Sequence, residues 1–317
     1  MNLTIAYFTN RPDPKIRWFF DSLHRETGGD YSGIKVVVVD FFAHVRMSGR
    51  LAQSGGGYTA LMDAPCSPVV VAPKPCVWQG PHRLTTQDYF AASNARNTAI
   101  CHAPDGWIAF VDDLSVLLPG WLAAVREAMA GGYIVLGAYK KQKKLVVENG
   151  EVVSFEEFPL GVDSRWNSGS DSKPVTAAGS WMFGCSLAAP VQAFIDINGF
   201  DTDADSMGGE DYAAGIMLEK AGYAFKYDRR MLTYESEEDH AQLPVFKRVI
   251  KKTHLHPVDA SHAYLSMLLT GGRDKAPNYF GPGGIAELRQ HILAGGEFPI
   301  IQVPQHHWPD GQPLSEM

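Results

Sequence analysis

Short apolar runs and helix-like segments alternate at the start of the chain. Residues 3–8 form an apolar run that ends at a polar turn. Residues 16–23 place apolar side chains at helical spacing, and Gly28-Gly29 is typical of a helix end. The next run, residues 34–39, is β-branched and apolar on both faces, as in a parallel strand covered by helices. Strand, helix and strand in this order predict the beginning of a doubly wound α/β sheet.

The alternation continues to about residue 240 and predicts one α/β domain over residues 1–240, with a mostly parallel sheet and helices on both faces. Residues 47–86 lack periodicity and are rich in Gly, Pro and Ser, which predicts a long loop. Residues 241–317 are expected to form a C-terminal extension of helices and loops that packs on the core. Further strands are predicted at 107–111, 133–139, 180–186, 224–227 and 230–234, and helices at 86–101, 119–129, 191–197 and 212–221.

The carboxyl ends of the predicted strands carry polar residues. Asn10 and Arg11 follow the first strand, Asp40 ends the second, and Asp112-Asp113 follow the run at 107–111. In a doubly wound sheet, ligands lie beyond these strand ends. Adjacent carboxylates repel each other unless a cation lies between them, and Mg²⁺ or Mn²⁺ takes carboxylate oxygens together with substrate phosphates. The pair therefore favours a divalent metal site, although acidic pairs also occur in solvated turns and helix caps.

A second acidic motif, Gly208-Gly209-Glu210-Asp211, precedes the helix predicted at 212–221. Acidic residues at a helix start are favoured by the helix dipole, so Glu210 and Asp211 have a purely structural interpretation. Glycines also allow close backbone approach, and a carboxylate directed into a cleft can take a proton from an attacking hydroxyl. The motif thus has both a structural and a catalytic interpretation.

Composition and charge narrow the class of protein. The 317 residues are 45% hydrophobic and 20% charged, with a formal net charge of -7, which disfavours tight non-specific binding to nucleic acid. Neither a leader peptide nor an apolar run of membrane-spanning length is recognised, so we expect a cytoplasmic protein. The four cysteines lack CxxC spacing, so reduced thiols are expected rather than zinc or disulfides.

The ordered series of motifs resembles a family-2-type glycosyltransferase of the GT-A fold. The resemblance spans roughly residues 3–240, and the order of the motifs is more specific than any one of them. They are Ala95-Arg96-Asn97, the run from Trp107 to Asp113, Pro119-Gly120-Trp121-Leu122, Asn198-Gly199-Phe200-Asp201 and Gly209-Glu210-Asp211-Tyr212.

The resemblance implies transfer of a sugar from a nucleoside-diphosphate sugar to an acceptor hydroxyl, with inversion and with Mn²⁺ or Mg²⁺. It implies that Asp211 is the general base and that Glu210 orients the base or the acceptor. Asp112 and Asp113 correspond to the metal motif. The implied donor-binding residues are Thr9, Asn10, Arg11, Asp40, Arg96, Asp112 and Trp181. Arg83 is a further candidate from its place in the long loop, where it is either a contact to a donor phosphate or a surface arginine.

One position departs from the family pattern. The third acidic residue of the usual metal motif is replaced by Leu114, which cannot ligate a cation. His240 is the expected substitute ligand, because several GT-A enzymes use a downstream histidine; His254 and His256 are weaker candidates.

The acceptor and even the activity stay open at this point. A glycan or lipid-linked glycan is the expected acceptor, and a modified base in (phage) DNA is the alternative suggested by Lys140–Lys144 and the lysines and arginine of 247–252. Because of Leu114, a further alternative is a non-catalytic GT-A module that binds a nucleotide or a glycan. A nucleotidyltransferase is disfavoured, because residues 9–15 lack its Gly-rich signature. The sugar, the nucleotide and the oligomeric state are not indicated.

Overall fold

The computed structural model describes residues 2–11, 13–43, 57–74, 91–205, 209–241, 272–277 and 280–299. The strands are β1 (Leu3–Thr9), β2 (Ile34–Asp40), β3 (Val69–Val71), β4 (Trp107–Asp112), β5 (Ser115–Leu117), β6 (Ile134–Glu148), β7 (Glu151–Val162), β8 (Val175–Ala177), β9 (Ser186–Pro190) and β10 (Phe225–Ser236). The helices are α1 (Ile16–Thr27), α2 (Gly57–Met62), α3 (Ala92–His102), α4 (Trp121–Gly131), α5 (Val191–Asp196), α6 (Glu210–Lys220), α7 (Glu237–Ala241) and α8 (Gly284–Leu293).

These strands form one sheet in the order β3-β2-β1-β4-β9-β6-β10-β5, with β7 paired to β6 and β8 to β10. β9 is antiparallel to both β4 and β6, while β10 is parallel to β6. As a result β1, β2, β3, β4, β6 and β10 all run in one direction. Their carboxyl ends therefore meet at one edge of the sheet.

Helices cover both faces of the sheet. Alternate side chains of β1 enter two separate buried clusters: Ala6 and Phe8 pack on the α3 side, and Ile5 and Tyr7 on the α1 side. The prediction of an α/β fold with a mostly parallel sheet and helices on both faces is confirmed.

Part of the predicted C-terminal extension packs on the same core. Ile285, Leu288 and Ile292 of α8 are buried in the cluster on the α3 side. Arg289 donates a hydrogen bond from Nε to the carbonyl of Ala103 at 2.9 Å. The boundary at residue 240 stays a prediction. Among the described residues, no helix has the length and apolar character that crossing a membrane requires.

Several predicted elements were placed wrongly. The strand predicted at 180–186 is a 3-10 helix (Gly179–Trp181) and a turn, and β9 begins only at Ser186. β6 does not end at residue 139 but continues through the lysines to Glu148, because β7 pairs with it there. The predicted loop at 47–86 contains α2 and β3 within its described part. The two strands predicted at 224–234 form one strand, β10, with a register shift between Asp228 and Leu232.

Candidate active site

The ends of three parallel strands bring the first group of predicted site residues together. Thr9 lies opposite Asp40 in the β1–β2 pairing, and Phe8 lies opposite Asp112 in the β1–β4 pairing. Thr9, Asp40 and Asp112 therefore lie at one level of the sheet edge. Asp40 is buried and its Oδ1 accepts a hydrogen bond from the Phe42 amide at 2.9 Å. Asn10 is also buried, and its Oδ1 has no hydrogen-bond partner in the described structure.

Asp113 is held by the loop that follows β1. Its Oδ2 accepts hydrogen bonds from Thr9 Oγ1 at 2.6 Å and from Arg11 Nε at 3.0 Å. Arg11 also donates to the carbonyl of Asp239 at 2.8 Å, which ties the loop to α7. Burial raises the pKa of Asp113 above its usual value, and the Arg11 cation opposes that shift. One oxygen of this carboxylate is therefore already engaged by the protein.

Asp112 has a less satisfied carboxylate. Within the described residues its Oδ1 is buried and accepts no hydrogen bond, and Arg96 Nη2 lies 3.8 Å away. The side chain is 34% exposed, so its accessible part lies elsewhere than Oδ1. Burial, together with the negative charges of Asp113 and Glu210, raises the pKa of Asp112 to about 7 despite the Arg96 cation. This carboxylate is poised to accept a cation or a proton.

Arg96 is the central cation of the site. It lies in α3, is 3% exposed, and stacks its guanidinium over Phe8 and Phe200 at 4.9 and 5.3 Å from the ring centres. Nη1 donates to Glu210 Oε1 at 2.7 Å. Neighbouring carboxylates raise the pKa of Arg96 further, outweighing the opposite effect of burial, so it stays charged. A fixed cation at this edge can compensate a diphosphate.

Asp211 lies in the first turn of α6, beside this cation. Gly209 precedes the helix with φ of 82°, a conformation that favours glycine and explains the glycine at this position. Asp211 Oδ2 accepts a hydrogen bond from the Gly184 amide at 2.9 Å, and Oδ1 accepts one from the Tyr212 amide at 2.7 Å. Burial and the neighbouring Glu210 raise the pKa of Asp211 above its usual value. An oriented carboxylate with a raised pKa is suited to proton abstraction.

Two residues near the Asp pair were missed by the sequence analysis. Glu235 on β10 is 6% exposed, and burial together with the charge of Asp112 raises its pKa to about 8. The carbonyl of Cys185 accepts a hydrogen bond from the Asp112 amide at 3.3 Å. Glu235 continues the buried positions Met231 and Thr233 on alternate residues of β10. A carboxylate at an inward-facing strand position was the sequence signal that could have identified it.

Other predicted residues lie outside this cluster or outside the described structure. Trp181 is partly buried against the core, with its ring 6.1 Å from that of Tyr227 and its carbonyl bonded to Arg165. His240 belongs to α7, but its side chain is not among the described ones. Arg83, Gly208, His254, His256 and residues 247–252 lie outside the described residues.

The acidic edge fits a cation that is shared with a ligand. Among the described residues, no three His, Cys, Asp or Glu side chains are placed to hold a metal ion by themselves. Mg²⁺, however, is commonly bound by one or two carboxylates together with substrate phosphates and water. The unpartnered Oδ1 of Asp112 is consistent with that mode of binding.

Comparisons with known proteins give a distant structural similarity and no family. No family model matches the chain, and no curated protein matches it. The structure of S. aureus TarS matches 85% of this chain at 12% identity and a TM-score of 0.49, and the chain covers 42% of that protein. S. aureus TarS 1-349 in complex with UDP-GlcNAc matches 75% of this chain, with 59% of that chain covered, at 11% identity and a TM-score of 0.49. The complex of S. aureus TarS 1-349 with UDP matches 85% of this chain, with 72% of that chain covered, at 12% identity and a TM-score of 0.49.

Proposed function

We propose that the chain is a nucleotide-sugar-dependent glycosyltransferase of the GT-A type that inverts the configuration of the transferred sugar. The observation that carries the proposal is the juxtaposition of Asp211, Glu210, Arg96 and Asp112 at one edge of the sheet. A candidate base and a candidate diphosphate-binding corner thus lie side by side. The motif series in the sequence supports the same activity independently of this geometry.

The residues suggest a single displacement. Asp211 takes the proton of the acceptor hydroxyl, the acceptor oxygen bonds to the anomeric carbon, and the bond from that carbon to the diphosphate oxygen breaks. The leaving electron pair goes to the nucleoside diphosphate, whose charge Arg96 compensates. One base and one displacement give inversion without a covalent sugar intermediate.

The donor is expected to lie over the ends of β1, β2 and β4. Asp40 and the loop Thr9–Arg11 are assigned to the nucleoside, and Arg96 to the diphosphate. Mn²⁺ or Mg²⁺, held by Asp112 with Asp113 beside it, would stabilise the charge on the leaving group. Arg11 and Thr9 orient Asp113 and limit its freedom to move.

The decisive experiment measures transfer and donor hydrolysis over a panel of nucleotide sugars with Mn²⁺. We expect Asp211→Asn to lower kcat by about 10²- to 10⁴-fold, the usual contribution of a general base. Asp274→Asn is the matched control, because its carboxylate is 86% exposed and pairs with Lys220 at the surface. Equal absence of turnover in the wild type and both variants over the whole panel would instead support a non-catalytic binding module.

A further inference from the structure

Most cations at the acidic edge already have a carboxylate of their own. Of the carboxylates outside these pairs, Asp40 and Asp211 accept hydrogen bonds from backbone amides, whereas Asp112, 3.8 Å from Arg96 Nη2, and Glu235 each keep an oxygen that no described residue bonds. The pairs, with their N–O distances, are Arg11–Asp113 at 3.0 Å, Arg96–Glu210 at 2.7 Å and Lys141–Glu237 at 4.0 Å.

Both remaining carboxylates have an oxygen that is buried and unsatisfied. Asp112 Oδ1 and Glu235 Oε1 accept no hydrogen bond from any described residue. Glu235 is more than nine-tenths buried, and the positive charges of Lys141 and Arg11 only partly offset the effect of burial on its pKa. Burying a carboxylate oxygen without a partner is costly, so such an oxygen indicates a missing ligand.

The backbone explains how Glu235 comes to lie beside the Asp pair. Glu235 lies opposite Ser115 in the antiparallel β5–β10 pairing, and Ser115 stands two residues after Asp113 in the sequence. Leu114, between them, has φ of 62°, is buried, and its carbonyl accepts a hydrogen bond from the Ser236 amide at 3.3 Å. The turn that has Leu114 where the family pattern has a third acidic residue is therefore joined to the strand that carries Glu235.

We propose that Glu235 supplies the carboxylate that Leu114 lacks, and that Glu235 and Asp112 together bind the divalent cation. Two carboxylates, with diphosphate oxygens and water completing the shell, make a sufficient site for Mg²⁺ or Mn²⁺. The assignment rests on the proposed transferase function, because the cation serves the diphosphate of the donor. His240, the substitute ligand expected from the sequence, has a side chain outside the described ones and stays a separate prediction.

The test compares Mn²⁺ binding to the wild type, Glu235→Gln and Glu219→Gln. Free Mn²⁺ is followed by electron paramagnetic resonance during titration of the metal alone, in the absence of nucleotide. Glu219 is the matched control because it is exposed at the end of α6. We expect Glu235→Gln to weaken Mn²⁺ binding by about 10-fold or more, and Glu219→Gln to leave it unchanged.

Thermal unfolding separates ligation from a merely structural role. Without metal, Glu235→Gln should melt at or above the wild-type temperature, because glutamine keeps the size of the side chain and removes a buried carboxyl oxygen that has no partner among the described residues. With Mn²⁺, the wild type should gain more in Tm than Glu235→Gln, because the metal stabilises the state that binds it. A lower metal-free Tm with an unchanged gain from Mn²⁺ would indicate a structural role and overturn the proposal.

Two further outcomes distinguish this inference from the proposed function. Equal Mn²⁺ binding by the wild type and Glu235→Gln, or no binding by either, would overturn the ligand assignment. Sugar transfer that persists with a chelator and is lost in Asp211→Asn would then leave the transferase function standing.

Discussion

Gly184 connects the two halves of the candidate site. Its amide donates to Asp211, and its α-carbon packs against the guanidinium of Arg96. A methyl group at this position would lie 1.8 Å from Arg96 Nη2. The guanidinium cannot move aside easily, because Glu210 binds it and Phe8 and Phe200 lie over its faces.

We therefore predict that Gly184→Ala displaces Arg96 and lowers kcat/KM by about 100-fold, the typical cost of misplacing a group by about 1 Å. In an Arg96→Ala background the clash is gone, so adding Gly184→Ala should cost little more. The measurement is a double-mutant cycle on kcat/KM. Additive losses would show that the glycine acts on something other than Arg96.

The raised pKa of Asp211 predicts the acidic side of the pH profile. A general base works deprotonated, so kcat/KM should rise with pH through a pKa above the usual aspartate value of 3.8. Because the folded pKa is raised, ionising Asp211 also costs stability. Its stabilising contribution is complete below the unfolded pKa and is lost as the pH rises through the folded pKa.

The charge of Glu210 raises the pKa of Asp211, and the Glu210 carboxylate accepts a hydrogen bond from Arg96. Glu210→Gln should therefore move the acidic limb of kcat/KM to lower pH, whatever it does to the height of the profile. Rates measured from pH 4 to 9 in constant ionic strength would show the shift. If the acidic limb does not move in Glu210→Gln, the group that titrates in it is not Asp211 but another one, such as Asp112.

The segment from Gly179 to Cys185 links the helix and the strand that hold Asp211 and Asp112. At one end, the backbones of Gly179 and Gly215 approach so closely that a β-carbon on Gly179 would lie 2.1 Å from the Gly215 carbonyl oxygen. At the other end, Gly184 and Cys185 bond to Asp211 and Asp112. The segment therefore couples the start of α6 to the end of β4.

Arg165 fixes the middle of this segment. It donates to the carbonyls of Trp181 at 2.5 Å and Gly137 at 2.8 Å, and forms a two-pronged pair with buried Asp163 at 2.9 and 2.7 Å. Arg165→Ala should lower the free energy of unfolding by about 3–5 kcal/mol, because Asp163 loses its buried counter-charge. Urea unfolding measures the loss. Lys144→Ala, which removes an exposed pair with Glu156, should leave the midpoint unchanged, and similar losses in both variants would contradict the prediction.

The local hydrophobic pattern predicted the strands that are buried on both faces. It failed where the length of a strand depends on the strand that pairs with it. The runs at residues 34–39 and 107–111 became β2 and β4, because apolar β-branched strands are recognisable without their neighbours. The lysines after Tyr139 were interpreted as a strand end, yet β7 pairs with them and continues β6 to Glu148. That pairing is not encoded in the lysines themselves.

The site as a whole shows the same division. Asp112, Asp113, Glu210 and Asp211 could be found in the sequence, since each stands at a strand end or a helix start. Glu235 could not be assigned to them, because its position depends on a strand from the far end of the domain pairing beside the Asp turn. Sequence spacing indicates the end of an element, whereas tertiary pairing determines which ends meet.

The charge distribution of the molecule bears on the nucleic-acid acceptor. The formal net charge is -7, and DNA was considered because of the basic run of β6 and the basic residues of 247–252, which lie outside the described structure. In the folded chain the lysines of β6 lie against partners of their own. Lys140 Nζ lies 3.8 Å from the ring centre of Trp166, Lys143 Nζ 5.0 Å from that of Phe158, Lys144 Nζ 2.7 Å from Glu156 and Lys141 Nζ 4.0 Å from Glu237.

We therefore predict weak binding to duplex DNA, with no steep dependence on salt. A protein that neutralises many phosphates loses about 10³- to 10⁵-fold in affinity between 50 and 200 mM salt, because it releases counterions from the duplex. Lysines that already contact aromatic rings and carboxylates of the protein neutralise few phosphates, so few counterions are released from the duplex. Fluorescence anisotropy with a labelled duplex at several salt concentrations tests this, and Lys143→Gln should change the curve little. A steep slope that Lys143→Gln reduces would favour a nucleic-acid acceptor over a glycan, because the basic strand would then be contacting phosphates.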